Sequence, residues 1–304
     1  MIDFIGKKCY NKEKRKNDLM KILLPELKRI FLKAPVGILV VLAMDIAEIV
    51  LLSLIPFTIG SCIDGLFDQN YFWFYVLIIL QILLIIICFF NKVLDTRIYE
   101  RIIESESNSY YENAMQTNSD DSQISSRLNL VDEIPNFFDV ELVQIIDMFG
   151  EITFSLMYIF ITSGLLFLAS VAVSILVYIF TKKFYKEIAD NNIKLQDHDE
   201  TREEVILNRN VQYFKHFTRS ILNLRILNSD LEAKSYLVTD ILQTGLLIFS
   251  IGFTIHMGNY TSGQLFTVIT YVMILNERVG EINEVRVRLY NLVDSVSRLG
   301  RNRK

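Results

Sequence analysis

The stretch that decides the fold runs from Tyr71 to Phe90 and reads YFWFYVLIILQILLIIICFF, with Gln81 as its only strongly polar side chain. A helix needs about 20 mostly apolar residues to cross the hydrocarbon core of a bilayer. The stretch therefore predicts a transmembrane helix. The composition agrees, because 51% of the 304 residues are hydrophobic and the mean hydropathy is +0.32. A soluble chain of this size usually buries less apolar side chain.

Charge and cysteine usage exclude several classes of protein. A formal net charge of -4 argues against a nucleic-acid binder that works by bulk charge. Cys9, Cys62 and Cys88 are scattered and form no CxxC pair. They indicate neither a disulfide scaffold nor a zinc module.

Further apolar segments bring the predicted number of spans to six. About 30 uncharged residues between Ile152 and Thr181 are too many for one straight helix, and Thr162-Ser163-Gly164 in the middle predicts a very short turn between two spans. The other predicted spans are Pro35 to Gly60, Leu237 to Met257, and a last span that begins at Leu265 and continues past Asn276.

The distribution of basic residues predicts the orientation. All 31 Lys and Arg lie in residues 1–34, 91–135, 182–235 and 278–304, and the three opposite connections contain none. Since Lys and Arg favour the cytoplasmic side of short loops, both termini are predicted to be cytoplasmic. No apolar run precedes Pro35, so no cleaved signal peptide is expected. The expected location is the cell (plasma or inner) membrane.

The two inner connections are long, and apolar residues recur in them at helical spacing. In the first, Ile98, Ile102 and Ile103 are followed by Tyr110 and Tyr111. The second shows the same pattern between Ile188 and Leu222. This spacing predicts helices that continue out of the membrane, by about 40 Å between Asn91 and Asn118 at 1.5 Å per residue. Two such hairpins can hold a soluble partner away from the bilayer.

The order of these features resembles the six-helix transmembrane domain of ABC exporters, the type IV fold. Gln123 to Asn129, followed by Asp132, is similar to the family's G-E-L-I-S-R-L-x-x-D entry into the third helix. Gly258 to Leu265, followed by Thr270-Tyr271, is similar to its G-x-x-T-x-G-x-L … Y start of the sixth helix. Val211 to Ile226 resembles the second inner loop, and Val293 to Leu299 resembles the exit from the sixth helix.

The resemblance implies an all-α, domain-swapped dimer whose inner hairpin tips are short coupling helices that dock on ATP-binding domains. By position, these helices would lie near Ala114 to Gln123 and Asn208 to Phe217. The residues implied to couple to the ATPase partner are Asn118, Asp120, Asp121, Gln123, Arg127, Asn210, Tyr213 and His216.

The chain contains no GxxxxGK[ST] phosphate-binding loop. It is therefore expected not to be an enzyme, and ATP and Mg²⁺ are expected only in a partner subunit. The expected organisation is a basic cytoplasmic segment (residues 1–20), the six-helix domain (21–300) and a basic cytoplasmic tail (301–304), with no nucleotide-binding domain. Basic residues from Lys7 to Lys16 also favour contact with anionic membrane lipids.

Acidic side chains in or near the spans are the candidates for a substrate cavity. Asp45 and Glu48 share one helix face near the bilayer middle, where ionisable groups usually face protein or a wet cavity. A water-filled transport cavity, pairing at a helix or subunit contact, and a cation site all remain open for them. Asp147, Glu151 and Glu277 indicate either ion pairs or an acidic inner vestibule, and Gln81 favours a helix–helix hydrogen bond. The complete set of candidates is Asp45, Glu48, Gln81, Asp147, Glu151 and Glu277.

Two functions are consistent with these patterns. In the first, the chain is the membrane subunit of an ABC-type transporter that moves an unidentified substrate, with weak preference for a cation or amphipath. In the second, it is a membrane scaffold or regulator that reuses the exporter fold without transport. The chain has no recognisable catalytic constellation, because its three His are isolated. The run Asp197-His198-Asp199-Glu200 predicts a solvated helix face and not a metal site, because adjacent residues on a helix point in different directions.

Overall fold

The computed structural model describes residues 28–67, 69–116, 137–207 and 209–301. These residues form long α-helices, and a π-helical turn, Phe137–Glu141, leads directly into the third of them. The helices are α1 (Pro35–Phe67), α2 (Phe72–Gln116), α3 (Leu142–Thr162), α4 (Gly164–Leu207), α5 (Val211–Met257) and α6 (Ser262–Arg301). The predicted all-α membrane fold is confirmed.

Within the described part of the chain, five helical segments are long and apolar enough to cross a membrane: Pro35–Leu66, Phe72–Glu112, Asp139–Thr162, Gly164–Gln196 and Val211–Met257. The sixth predicted span falls on α6, which does not meet the same criterion. Its apolar stretch ends at Leu275, and Asn276-Glu277-Arg278 follows at once. The insertion of α6 therefore stays a prediction.

The predicted turn between the third and fourth spans is confirmed. Ser163 is the one non-helical residue between α3 and α4. Its Oγ accepts a hydrogen bond of 3.4 Å from the Leu166 N–H, which caps the start of α4. The turn between α5 and α6 is also confirmed, with Gly258 at φ 62° as the left-handed residue that ends α5.

The predicted end of the first span is wrong. The prediction ended it at Gly60, but α1 continues without a break to Phe67. The added turns include Asp64, whose carboxylate is held by residues at the start of α6. This contact lies far away in sequence, so local patterning does not reveal it.

The helices also run on beyond their apolar segments, as predicted. Helix α2 continues to Gln116, 45 residues in all. Helices α4 and α5, of 44 and 47 residues, pack against each other as a hairpin.

The described residues divide into two compact units. The first takes its residues from Met1–Asp45, Phe89–Gln144 and Leu289–Lys304. Its core is built around Ile38, Val41, Tyr99 and Ile102. Glu106, buried on α2, forms ion pairs of 2.7 Å with both Arg29 and Lys33.

The second unit takes its residues from Ile46–Cys88 and Ile145–Arg288. Its largest apolar cluster is formed by α3, α4, α5 and α6, with Ile159, Leu166, Leu246 and Val272 at its centre. Small polar residues are buried among these helices, as is common where membrane helices approach closely. They include Ser155, Ser170, Ser250, Thr254 and Thr267.

Candidate functional site

A cleft of about 500 Å³ lies between α5 and α6 in the second unit. Each helix contributes residues at positions i, i+3, i+4 and i+7, which is the spacing of one helical face. The lining residues are Asp240, Gln243, Thr244 and Leu247 of α5 and Thr270, Met273, Ile274, Asn276 and Glu277 of α6.

Two amide side chains fasten the helices at this cleft. The Gln243 Nε2 donates a hydrogen bond to the backbone oxygen of Asn276. In return, the Asn276 Nδ2 donates to the backbone oxygen of Gln243 over 3.1 Å. Because each side chain satisfies a backbone carbonyl of the other helix, the wall of the cleft is held at two points.

The chemistry of the cleft is mixed. The carboxylates of Asp240 and Glu277 are both exposed, and the hydroxyls of Thr244 and Thr270 lie on the same lining. Leu247, Met273 and Ile274 supply apolar surface. Such a cleft can accept a ligand that has an apolar body and a positive charge.

The sequence analysis found only part of this cleft. Glu277, which was predicted to line a substrate cavity, lies on this cleft, and its role in transport stays a prediction. Asp240 was missed, although an acid only three residues inside the predicted span from Leu237 is itself a signal. The amides and hydroxyls were missed because polar neutral residues are common in membrane helices.

Asp45 and Glu48 meet different partners. Asp45 is only 5% exposed, and its Oδ1 accepts a hydrogen bond of 2.6 Å from the Asn91 Nδ2 on α2. Glu48 is half-buried and accepts a hydrogen bond from the Cys88 thiol. Each acid therefore makes a helix–helix contact, and a role for either in transport stays a prediction.

The remaining cavity candidates do not gather in the cleft. Glu151 forms an ion pair of 2.7 Å with Arg278, which also contacts Glu281 at 3.0 Å. Glu151 is therefore paired within the protein, and Arg278 shares its one positive charge between two acids. Asp147 and Gln81 are half-buried on α3 and α2.

The predicted coupling residues of the first tip, Asn118, Asp120, Asp121, Gln123 and Arg127, lie outside the described residues. Those of the second tip are described. The Asn210 side chain caps α5 by accepting hydrogen bonds from the N–H groups of Gln212 (3.0 Å) and Tyr213 (3.2 Å). Tyr213 and His216 are exposed. Val211 begins the long helix α5, so the residues from Val211 to Phe217 form its first turns and continue into it without a break. Coupling to an ATPase partner near Asn208 to Phe217 stays a prediction.

A polar contact that the sequence analysis did not find joins α1 to the start of α6. Asp64 accepts hydrogen bonds from the Thr261 hydroxyl (2.6 Å) and from the Gly263 N–H (2.8 Å). Gly60 and Gly263 bring the two backbones together at the same place, so that a Cβ on either would overlap the other helix. The sequence around a single acidic residue near a predicted helix end does not indicate a partner about 200 residues away.

In the described part of the chain, no group of three or more His, Cys, Asp or Glu side chains could hold a metal ion. The expectation that the whole chain binds no metal stays a prediction.

Comparison with known proteins adds one finding. A family model described as the ABC transporter transmembrane region matches residues 27–263. No curated protein matches the chain.

Proposed function

The chain belongs to the ABC transporter transmembrane family, and we propose that it is the membrane-spanning subunit of a transporter whose ATP is hydrolysed by a separate polypeptide. ATP and Mg²⁺ would bind to that partner. The proposed complex contains two copies of this chain in the cell membrane, with both termini on the cytoplasmic side. This orientation rests on the four basic segments and on the absence of basic residues from the other connections.

The observation that carries the proposal is the length and the tip of the α4–α5 hairpin. From Thr181 to Leu207 and from Val211 to Leu237, each helix extends about 40 Å beyond its apolar segment, at 1.5 Å per residue. Helical extensions of this length are not needed to span the bilayer. It can transmit movement from a soluble partner to the membrane helices.

The tip of this hairpin, defined here as residues 206, 207, 211, 213 and 214, exposes apolar side chains to the surroundings. Leu207 is 72% exposed and Val211 68% exposed, and Tyr213 and Phe214 stand beside them in sequence. Large apolar side chains grouped at a surface mark a contact with a membrane or with another protein, and the distribution of basic residues predicts that this tip lies outside the bilayer. The tip therefore offers a docking surface to the ATP-binding partner.

The α5–α6 cleft is the place proposed for cargo. Two exposed carboxylates beside an apolar wall favour an amphipathic cation over an anion, because the charge of an anion would be repelled.

The experiment is purification of the tagged chain from its native host in mild detergent, followed by mass spectrometry and an ATPase assay of the purified material. We expect a stoichiometric ATP-binding protein and measurable ATP hydrolysis. The variant Phe214→Asp places a charge on the tip and should remove both. The control Asn223→Asp adds the same charge at an exposed position further along α5, and should retain both.

A dimer that carries no ATP-binding protein, even after crosslinking, would contradict the transporter and favour the scaffold or regulator. If Phe214→Asp and Asn223→Asp behave alike, the partner does not dock on this tip.

A further inference from the structure

Two basic side chains from different helices of the second unit converge on one tyrosine ring. The Lys182 Nζ lies 5.9 Å from the centre of the Tyr178 ring, and the guanidinium carbon of Arg286 lies 5.6 Å from it. Tyr178 and Lys182 belong to α4, and Arg286 belongs to α6. A cation within about 6 Å of an aromatic ring is attracted by the negative face of the ring. The ring therefore brings two like charges to one place, and these three residues are called the α4–α6 basic cluster.

A buried amide holds Arg286 in this position. The Asn283 Oδ1 accepts a hydrogen bond of 3.4 Å from the Arg286 Nη1. The Asn283 Nδ2 donates to the hydroxyl oxygen of Thr181 on α4. Asn283 and Thr181 are each only 1% exposed. The same side chain therefore joins α4 to α6 and orients the guanidinium, so the cluster is part of the packed contact between the two helices.

The charges of the cluster are not neutralised by neighbouring acids. Among the residues that the structure describes, no carboxylate forms an ion pair with Lys182 or with Arg286. The two acids of α6 nearest to Arg286 in sequence have other partners. Glu284 accepts a hydrogen bond of 3.1 Å from the Tyr236 hydroxyl, and Glu281 contacts Arg278 at 3.0 Å. Two adjacent positive charges of this kind favour an anionic ligand.

The position of the cluster along α4 matches the inner boundary of a bilayer. Lys182 lies 18 residues after Gly164, the first residue of α4, which corresponds to about 27 Å at 1.5 Å per residue. The hydrocarbon core of a bilayer is about 30 Å thick. Helix α4 begins at a connection without basic residues, which the charge distribution predicts to be on the outer side. Lys182 is therefore expected at the level of the cytoplasmic headgroups, where tyrosine side chains are also common.

The same face of α4 offers apolar surface on the side of the bilayer centre. Ile175, Tyr178, Ile179 and Lys182 occupy positions i, i+3, i+4 and i+7, which lie on one helical face. Ile175 is 53% exposed and Ile179 is 58% exposed. These two side chains can contact an acyl chain while the headgroup of the same molecule meets the basic cluster. A phospholipid therefore fits this surface better than a soluble phosphate, which has no apolar part.

We propose that the α4–α6 basic cluster binds the phosphate group of an anionic phospholipid in the cytoplasmic leaflet. Lys182 and Arg286 donate to the phosphate oxygens from two helices, and the Tyr178 ring holds the two cations side by side. Basic sites between membrane helices on the cytoplasmic side are suited to anionic headgroups. The site rests on the predicted orientation of the chain. It depends on neither cargo nor an ATPase partner, so its failure would leave the proposed transporter role untouched.

Native mass spectrometry of the full chain in detergent, titrated with phosphatidylglycerol or with zwitterionic phosphatidylcholine, tests the proposal. We expect one tight phosphatidylglycerol site per wild-type chain, with a Kd about tenfold below that for phosphatidylcholine. The double variant Lys182→Gln, Arg286→Gln should raise the Kd for phosphatidylglycerol about 25-fold, from about fivefold for each basic side chain near a membrane surface. The control Lys215→Gln, Arg225→Gln removes the same charge from exposed positions of α5, and should leave this Kd unchanged.

Three single variants make the test sharper. Tyr178→Phe keeps the ring and should bind phosphatidylglycerol like the wild type, whereas Tyr178→Leu removes the ring and should weaken binding about threefold. Lys182→Gln changes only an exposed side chain. It therefore keeps the test decisive if the double variant folds poorly, and it should raise the Kd about fivefold.

Three results would overturn the proposal. The first is tight phosphatidylglycerol binding that survives both Lys182→Gln and the double variant, because other basic residues, such as those from Lys7 to Lys16, would then hold the lipid. The second is equal weakening in the control, which would mean that general surface charge attracts the lipid. The third is displacement of phosphatidylglycerol by inorganic phosphate at a similar concentration, because the ligand would then be a soluble anion instead of a lipid.

Discussion

The Asp64 carboxylate near the end of α1 accepts a hydrogen bond of 2.8 Å from the N–H of Gly263, in the first turn of α6. The first N–H groups of a helix have no partner within the helix, and they carry the positive end of its dipole. The acid that satisfies one of them is normally local. Here it comes from a helix that ends at Phe67, so the contact helps to hold the start of α6 against the end of α1.

Removal of this distant cap should destabilise the protein. We expect Asp64→Ala to lower the free energy of unfolding by about 1–2 kcal/mol, because it leaves the Gly263 N–H and the Thr261 hydroxyl without their acceptor. Asp64→Asn keeps one carbonyl oxygen and should lose less. Thermal unfolding of both purified variants in the same detergent measures this difference, and equal stability of the wild type and Asp64→Ala would contradict it.

The close approach of Gly60 to Gly263 makes a second prediction. A Cβ added at Gly263 would overlap the backbone oxygen of Gly60 and the Asp64 carboxylate. Gly263→Ala should therefore force the helices apart and lower the unfolding free energy by about 1–3 kcal/mol.

Gly252→Ala is the matched control for this substitution. Nothing lies within 4 Å of the position that its Cβ would take. Alanine has the higher helix propensity, so this variant should be neutral or more stable by up to about 1 kcal/mol. If both alanine variants unfold at the same temperature, the tight contact does not exist in the membrane protein.

Local signals in the sequence predicted those parts of the fold that depend on neighbours along the chain. The Thr162-Ser163-Gly164 turn was predictable, because an uncharged run too long for one helix must be broken and Ser163 can cap the second of the two helices. The helical continuation of α2 was predictable from the spacing of Ile98 and Ile102. In both cases the deciding interactions lie within a few residues.

The parts that failed depend on residues far apart in the chain. The extension of α1 past Gly60 accompanies the contacts of Asp64 with Thr261 and Gly263, which no local pattern contains. Asp45 and Glu48 share a helix face in the sequence, but nothing local indicates that one meets Asn91 and the other Cys88. Asp240 and Glu277 form one cleft only because α5 packs on α6.

The ion pair between Glu151 and Arg278 should be measurable by a double-mutant cycle. Both side chains are largely removed from solvent, and the N–O distance is 2.7 Å. We expect Glu151→Gln to cost about 1–2 kcal/mol of unfolding free energy, less than a fully buried pair would, because water still reaches part of the Arg278 guanidinium. The coupling energy from Glu151→Gln, Arg278→Gln and the double variant should be about 1 kcal/mol.

Glu281 complicates this pair, since it also contacts Arg278 at 3.0 Å. Glu281→Gln therefore serves as the comparison. We expect a smaller cost than for Glu151→Gln, because the Glu281 side chain is more exposed and lies on the same helix as Arg278. A coupling energy near zero for Glu151 and Arg278 would contradict their pairing.

The α5–α6 cleft makes the last prediction, on cargo binding. The double variant Asp240→Asn, Glu277→Gln removes both carboxylates while keeping nearly the same volume, so the apolar wall of Leu247, Met273 and Ile274 stays intact. If amphipathic cations bind here, the Kd of a lipophilic probe such as tetraphenylphosphonium should rise about tenfold, which corresponds to about 1.4 kcal/mol of lost attraction. A neutral probe of similar shape should bind equally well to both proteins.

Glu232→Gln removes an exposed acid of α5 outside the cleft, and should leave the affinity for the cation unchanged. If the double variant binds the cation as tightly as the wild type, these two acids do not select the cargo. If Glu232→Gln weakens binding as much as the double variant does, general surface charge attracts the cation and the cleft does not recognise it.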